Sequence, residues 1–273
     1  MWLRPVFGAA KTQAMKNTSA DPQSGQRDIL LGTLLVVAAV TWVALVWQGR
    51  GAEMNMATAS LTLGLPAPLF LAIWVLMMVA MMVPAAAPMI LAFHMLQADK
   101  VQRVGGFVST GLFAAGYLLV WTLAGIVAYA GAVAAQTIAA SVALPPETEA
   151  RIGGAMVIAA GFYQLTPLKE RCLSKCRAPI AFLTTSWRDG ASGALVMGLH
   201  HGAYCLGCCW LLFVILFPLG LMTIAAMAII TLVILAEKTL RWPKLASGAT
   251  AAALALYGAI VMVGPEILPT FHS

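Results

Sequence analysis

Apolar residues dominate seven stretches of the chain, at 29–47, 69–96, 107–138, 152–168, 191–217, 219–236 and 245–268. A hydrocarbon core is crossed by about 20 helical residues rising 1.5 Å each, so this pattern predicts seven transmembrane helices. The short segments of period-two alternation that mark a membrane β-barrel are not found. The least secure boundary is Pro218-Leu219-Gly220, the one turn signal in a long apolar stretch. Proline and glycine there mark either a break between two helices or a kink in one. Residues 1–28 are polar and rich in Ser, Gln, Asn and Asp, which predicts a disordered cytoplasmic leader. The first apolar stretch is too long for a signal-peptide core and no small-x-small cleavage site follows it, so it reads as an uncleaved anchor. The expected fold is therefore all-α, a polytopic transmembrane bundle in one domain over 29–268.

Composition removes the alternatives. Of 273 residues, 61% are hydrophobic and 10% charged, against about 25% charged in a soluble domain, which excludes a soluble globular protein. The net charge of +6 raises the question of nucleic acid, but the basic residues lie between the apolar stretches rather than in one patch, so no nucleic-acid partner is expected. Their distribution sets orientation instead, because Lys and Arg are retained in cytoplasmic loops. With seven spans and the N-terminus inside, only Arg50 and Arg151 of the sixteen basic residues fall outside. Merging the fifth and sixth stretches would move Lys238, Arg241 and Lys244 outside and spoil that asymmetry. No nucleotide-binding loop or dinucleotide fingerprint occurs, no soluble segment exceeds about 30 residues, and no catalytic group is assigned.

Chemistry concentrates in one window. Cys172, Cys176, Cys205, Cys208 and Cys209 lie between 172 and 209. On a helix, residues three and four apart share a face, so His201, Cys205, Cys208 and Cys209 project together, with Met197 one turn earlier. Thiolate sulfur is a soft ligand that selects Cu(I), zinc or iron–sulfur clusters, and imidazole suits zinc, copper and iron. The competing explanations are that Cys packs as a small hydrophobe and that Cys-x-x-Cys is a thiol–disulfide motif. Cys172 and Cys176 share a face if a helix continues past Pro167, and Lys169, Arg171, Lys175 and Arg177 are expected to lower their thiol pKa values.

The second stretch adds Met77, Met78, Met81 and Met82, paired at i, i+4, a thioether ladder suited to Cu(I) and equally to core filling. Pro84 and Pro88 are expected to free backbone carbonyls beside it. His200 and His201 lie about 15 Å into the fifth stretch, too deep to snorkel, so at least one must face a partner or cavity; adjacent helical residues point about 100° apart, so only His201 joins the cysteine row. Glu237 and Lys238 are expected to pair at the membrane interface, and Met54-x-Met56 is a weak metal-capture signal.

Three motifs carry a family resemblance. The run from Gly161 to Lys169, the Cys172, Cys176, Arg177 and Pro179 segment, and above all His201-Gly202-x-Tyr204-Cys205-x-Gly207-Cys208-Cys209-Trp210 resemble the bacterial family described as predicted metal-binding integral membrane proteins, domain of unknown function 2182. Met81 to Pro84 and Glu237-Lys238 are also similar to that family, so the likeness covers about 69–238; Met222-Thr223 departs from an expected Met-Asn. The resemblance implies a metal-associated, multi-pass protein of the bacterial inner membrane.

The expected function is soft-metal binding for transport or delivery, with copper as Cu(I) first and zinc second. His201, Cys205, Cys208 and Cys209 form an intramembrane site, Cys172 and Cys176 an exchange site, and Met78, Met81 and Met82 a relay. The expected partners are the lipid bilayer and a metal donor or acceptor protein. The alternatives are a membrane thiol–disulfide protein and a structural subunit. One difficulty attends both chemical readings: Cys205 lies about 22 Å above the inner surface if the fifth stretch starts there, out of reach of Cys172 unless the intervening loop re-enters.

Overall fold

The computed structural model describes residues 22–53, 61–62, 64–98, 103–221 and 223–268. Residues 1–21, Met54-x-Met56 and Met222 lie outside the described residues. Among those described, every regular element is helical: α1 (Pro22–Glu53), α2 (Ala67–Ala98), α3 (Arg103–Val142), α4 (Pro146–Tyr163), α5 (Pro167–Arg177), α6 (Pro179–Thr185), α7 (Gly190–Val214), α8 (Leu216–Leu219), α9 (Ile224–Thr239) and α10 (Pro243–Val263), then a 3₁₀ turn (Pro265–Ile267). α1 begins at Pro22, so 22–28 of the expected leader is helical.

Each predicted stretch corresponds to a helix, but five are long and apolar enough to cross a membrane. α4 carries Glu147, Glu149 and Arg151 in its first turns, and α9 has 16 residues, below the usual spanning length. The break at Pro218-Leu219-Gly220 is real: α8 ends at Leu219, Gly220 takes φ +89°, and α9 starts at Ile224. Glycine meets that left-handed backbone without the penalty a Cβ imposes. Proline opens α4, α5, α6 and α10, where its missing N–H costs no helical bond.

The helices pack in two connected groups. α2 lies between α1 and α3, and α3 packs along α7; α4 pairs with α10, and α9 touches both α10 and α2. Contact between α3 and α7 is set by glycine: a Cβ at Gly198 would sit 2.0 Å from the Phe113 carbonyl oxygen, and one at Gly116 2.4 Å from that of Leu195. The α4–α10 pair repeats the device, with a Cβ at Gly258 falling 2.7 Å from the Gly154 carbonyl oxygen. Small residues allowing backbone approach are the usual solution where lipid offers no competing hydrophobic drive.

Large apolar side chains lie on the outside of the bundle as well as within it. Val43 and Val127 are 70% and 72% exposed, whereas the interior is a continuous cluster that includes Met77, Met78, Met81 and Met82. α2 runs unbroken through Pro84 and Pro88. Pro84 has no N–H for the Ala80 carbonyl four residues back, and that oxygen instead accepts a hydrogen bond from Trp42 Nε1 at 3.1 Å. The indole of Trp74 likewise donates to the Trp121 carbonyl at 2.9 Å, tying α2 to α3.

A branched side chain at Gly198 must push α3 off α7. Gly198→Leu is expected to lower stability by about 3 kcal/mol, measured as a fall in Tm in detergent. Gly248→Ala, whose Cβ meets nothing within 4 Å, leaves Tm unchanged or slightly raised.

Candidate metal centre

The loop re-enters. After α4, Thr166 caps α5 by accepting from the Lys169 backbone N–H at 3.4 Å, and Pro167 starts the helix. α5 then packs along α7 instead of lying below it. A Cβ on Gly207 would lie 2.8 Å from Cys172 Sγ, so α5 and α7 meet where α7 has no side chain. The Tyr163 hydroxyl donates to the Gly207 carbonyl, anchoring the end of α4 at the same level. The expected 22 Å separation therefore does not exist, because α5 is a helix folded back against α7 rather than a loop beneath it.

This fold brings three sulfurs together. The Sγ atoms of Cys176, Cys205 and Cys208 all lie within 4.8 Å of one another. A metal bound in the plane of three thiolates at about 2.3 Å needs them about 4 Å apart, so a small contraction suffices. Cys205 is buried and central. Its Sγ is 3.1 Å from the Tyr117 hydroxyl and receives Lys238 Nζ at 3.1 Å. The donor set is soft and nearly closed to solvent, and one cation stands beside it to offset thiolate charge.

Other predicted residues sit around this triad. Cys209 lies on the buried side of α7, but its Sγ is turned to the Cys205 carbonyl at 2.8 Å. Cys208 also donates to that carbonyl, at 3.1 Å, from within the triad. Cys172 is half-buried against Gly207. His201 is buried one turn before Cys205, its ring stacked on Tyr117 and Phe113 with centroids 5.4 and 6.0 Å away. Neither of its ring nitrogens has a hydrogen-bond partner, an arrangement that costs about 1–3 kcal/mol unless something outside the chain binds it. Met78, Met81 and Met82 are fully buried within the bundle.

Two sequence expectations need correction. Glu237 and Lys238 do not pair with each other, because adjacent helical residues point about 100° apart. Glu237 instead takes Lys169 Nζ on both carboxylate oxygens at 2.7 Å, while Lys238 turns to Cys205. The thiols of Cys172 and Cys176 are raised, not lowered. Burial, then the nearby Cys208, lifts Cys172; hydrogen bonds to the Cys205 and Cys208 sulfurs, then burial, lift Cys176 well above the ordinary range. Of the four basic neighbours, Lys169 is spent on Glu237 and Arg177 on the backbone carbonyls of Glu237 and Leu240, at 2.5 Å each.

Sequence reasoning missed Tyr117 and Lys238 as neighbours of the sulfurs. The available signal was a lysine next to a glutamate at the end of an apolar stretch, which required separate partners once the helical angle between them was considered. For Cys172 the direction of the shift has a measurable sign: a raised pKa leaves less thiolate at neutral pH. Its alkylation by iodoacetamide, followed by peptide mass spectrometry, is expected to rise through an inflection above the ordinary thiol value of about 8.5. An inflection below that value would show that the basic residues prevail.

No curated protein and no solved structure matches the chain. The family described as PpoB2, copper chaperone, matches residues 71–261, more than two thirds of the sequence and all five cysteines. The chain thus belongs to the PpoB2 copper chaperone family.

Proposed function

We propose that this protein is a multi-pass protein of the bacterial inner membrane that binds Cu(I) and passes it to or from a partner protein. The observation that carries the reading is the buried convergence of Cys176, Cys205 and Cys208 from two helices, with sulfurs within 4.8 Å. Family membership supports copper as the cargo. Coordination chemistry favours it over zinc, whose structural sites are almost always four-coordinate and tetrahedral, because the cluster offers three sulfurs and Cys209 is directed to a carbonyl. Seven spans with the N-terminus inside remain the arrangement that best retains the basic residues on the cytoplasmic side, with α4 and α9 as the two short members.

Charge explains how the site tolerates burial. Cu(I) and Lys238 each bring one positive charge, so a bound ion with two thiolates and one thiol is neutral within the low-dielectric interior. Half-buried Cys172, beside Gly207 and Cys208, is the exchange thiol through which the ion reaches the triad. His201, with both nitrogens free, is the further ligand next to Cys205, and Met77, Met78, Met81 and Met82 form the relay within the bundle. The same sulfurs at the same spacing suit thiol–disulfide exchange, which is why metal content and redox state must both be read.

Protein purified anaerobically in detergent and loaded with Cu(I) is expected to hold one tightly bound copper. Cys176→Ser, Cys205→Ser and Cys208→Ser each lower affinity by at least tenfold, about 1.4 kcal/mol. Cys172→Ser keeps the copper and slows its transfer to a soluble chelator. Zinc in preference to copper would correct the cargo. Absence of either metal in folded wild type, with a redox-dependent change in cysteine pairing, would replace the reading by the thiol–disulfide one.

A further inference from the structure

The triad is divided between two helices, and nothing covalent within either holds them in register. Cys205 and Cys208 are on α7, whereas Cys176 is on α5, an 11-residue helix that buries only Lys169 and Leu173. One leucine is a weak apolar anchor, and the residue that accompanies it is a lysine that is 1% exposed. What keeps α5 in place must therefore be polar.

The polar contacts are concentrated at its two ends. Near the start, Lys169 Nζ meets both oxygens of Glu237 on α9 at 2.7 Å, with side chains 1% and 3% exposed. Ser247 of α10 also donates to that carboxylate, at 3.3 Å. At the far end, Arg177 donates to the Glu237 and Leu240 carbonyls, closing the C-terminal end of α9. Lys169, Cys172, Leu173 and Cys176 recur at i, i+3, i+4 and i+7, which puts them on one face of α5. The face that delivers the cysteines is the one the ion pair pulls inward.

We propose that Lys169 and Glu237, with Arg177, are positioning residues that latch α5 onto α9 and so set Cys176 against Cys205 and Cys208. A buried ion pair adds little net stability over an apolar pair of similar size, and its best-attested use is to specify register. Slipping α5 by one residue would leave Lys169 buried without a counter-charge. Glu237-Lys238 then fixes both halves of the site, since Glu237 holds the helix that brings Cys176 and Lys238 meets Cys205 directly. The inference deepens the copper reading, but the latch itself exists without metal.

The test uses the full chain in detergent, in two arms. In metal-free protein carrying Cys172→Ser, Cys208→Ser and Cys209→Ser, dibromobimane joins Cys176 to Cys205, and the joined peptides are quantified by mass spectrometry. Lys169→Met and Glu237→Gln are expected to slow this cross-link at least tenfold, and Lys169→Arg to restore it. In the second arm all five cysteines are present, and X-ray absorption reads the sulfur coordination of bound Cu(I). It falls from three to two in the same variants, with at least tenfold weaker binding, and returns to three in Lys169→Arg. If the buried variants do not fold, Arg177→Gln, at the more exposed end, is expected to slow cross-linking as well. An unchanged cross-linking rate in folded variants overturns the latch whatever the copper result. Wild type that binds no copper, with the triple-serine protein and its variants cross-linking as expected, overturns the copper reading and leaves the latch standing.

Discussion

The space left by Gly207 is the constraint on which the rest of the site depends. A Cβ there would sit 2.8 Å from Cys172 Sγ, so α5 approaches α7 where α7 carries no side chain. Once the two helices are in contact, a cysteine pair that would otherwise belong to a surface loop becomes part of the interior. The Tyr163 hydroxyl on the Gly207 carbonyl shows that the end of α4 is drawn to the same level. Local chain direction, not length of helix, decides where the sulfurs meet.

A polar group buried in an apolar interior is costly without a partner, and several here are matched. The Ala80 carbonyl, released by Pro84, is taken by Trp42; Glu237 is taken by Lys169 and Ser247; Cys205 is held by Tyr117 and Lys238. His201 is buried among aromatic rings with neither nitrogen bonded. Trp121 Nε1 and Gln164 Oε1 are also buried without a hydrogen-bond partner, but the imidazole lies one turn from Cys205, where a ligand would remove the cost of its burial.

On the proposed reading, the protein must hold copper firmly and still release it. Burial of Cys205 among Cys176, Cys208 and Lys238 serves the first need, by shielding a soft, charge-compensated site from water. The half-buried position of Cys172 serves the second, by leaving one thiol between that site and the outside. Raised thiol pKa values on α5 fit this division: Cys172 and Cys176 keep their protons until an ion displaces them.

Much of this was legible in the residues alone. Apolar runs of spanning length and proline at helix starts determine a bundle of long apolar helices, because each is a local property of the chain. The i, i+3 and i, i+4 spacing likewise placed His201, Cys205, Cys208 and Cys209 on a common side of one helix, and all four are buried there. What spacing does not contain is the path of the chain between helices. Only the tertiary structure decided that α5 returns to α7, that Cys176 rather than Cys209 completes the sulfur triad, and that Glu237 and Lys238 part to different partners. These depend on contacts between residues far apart in sequence, such as Lys169 with Glu237 and Cys172 with Gly207, and a missing Cβ leaves no periodic trace in the chain that would reveal which neighbour fills its place.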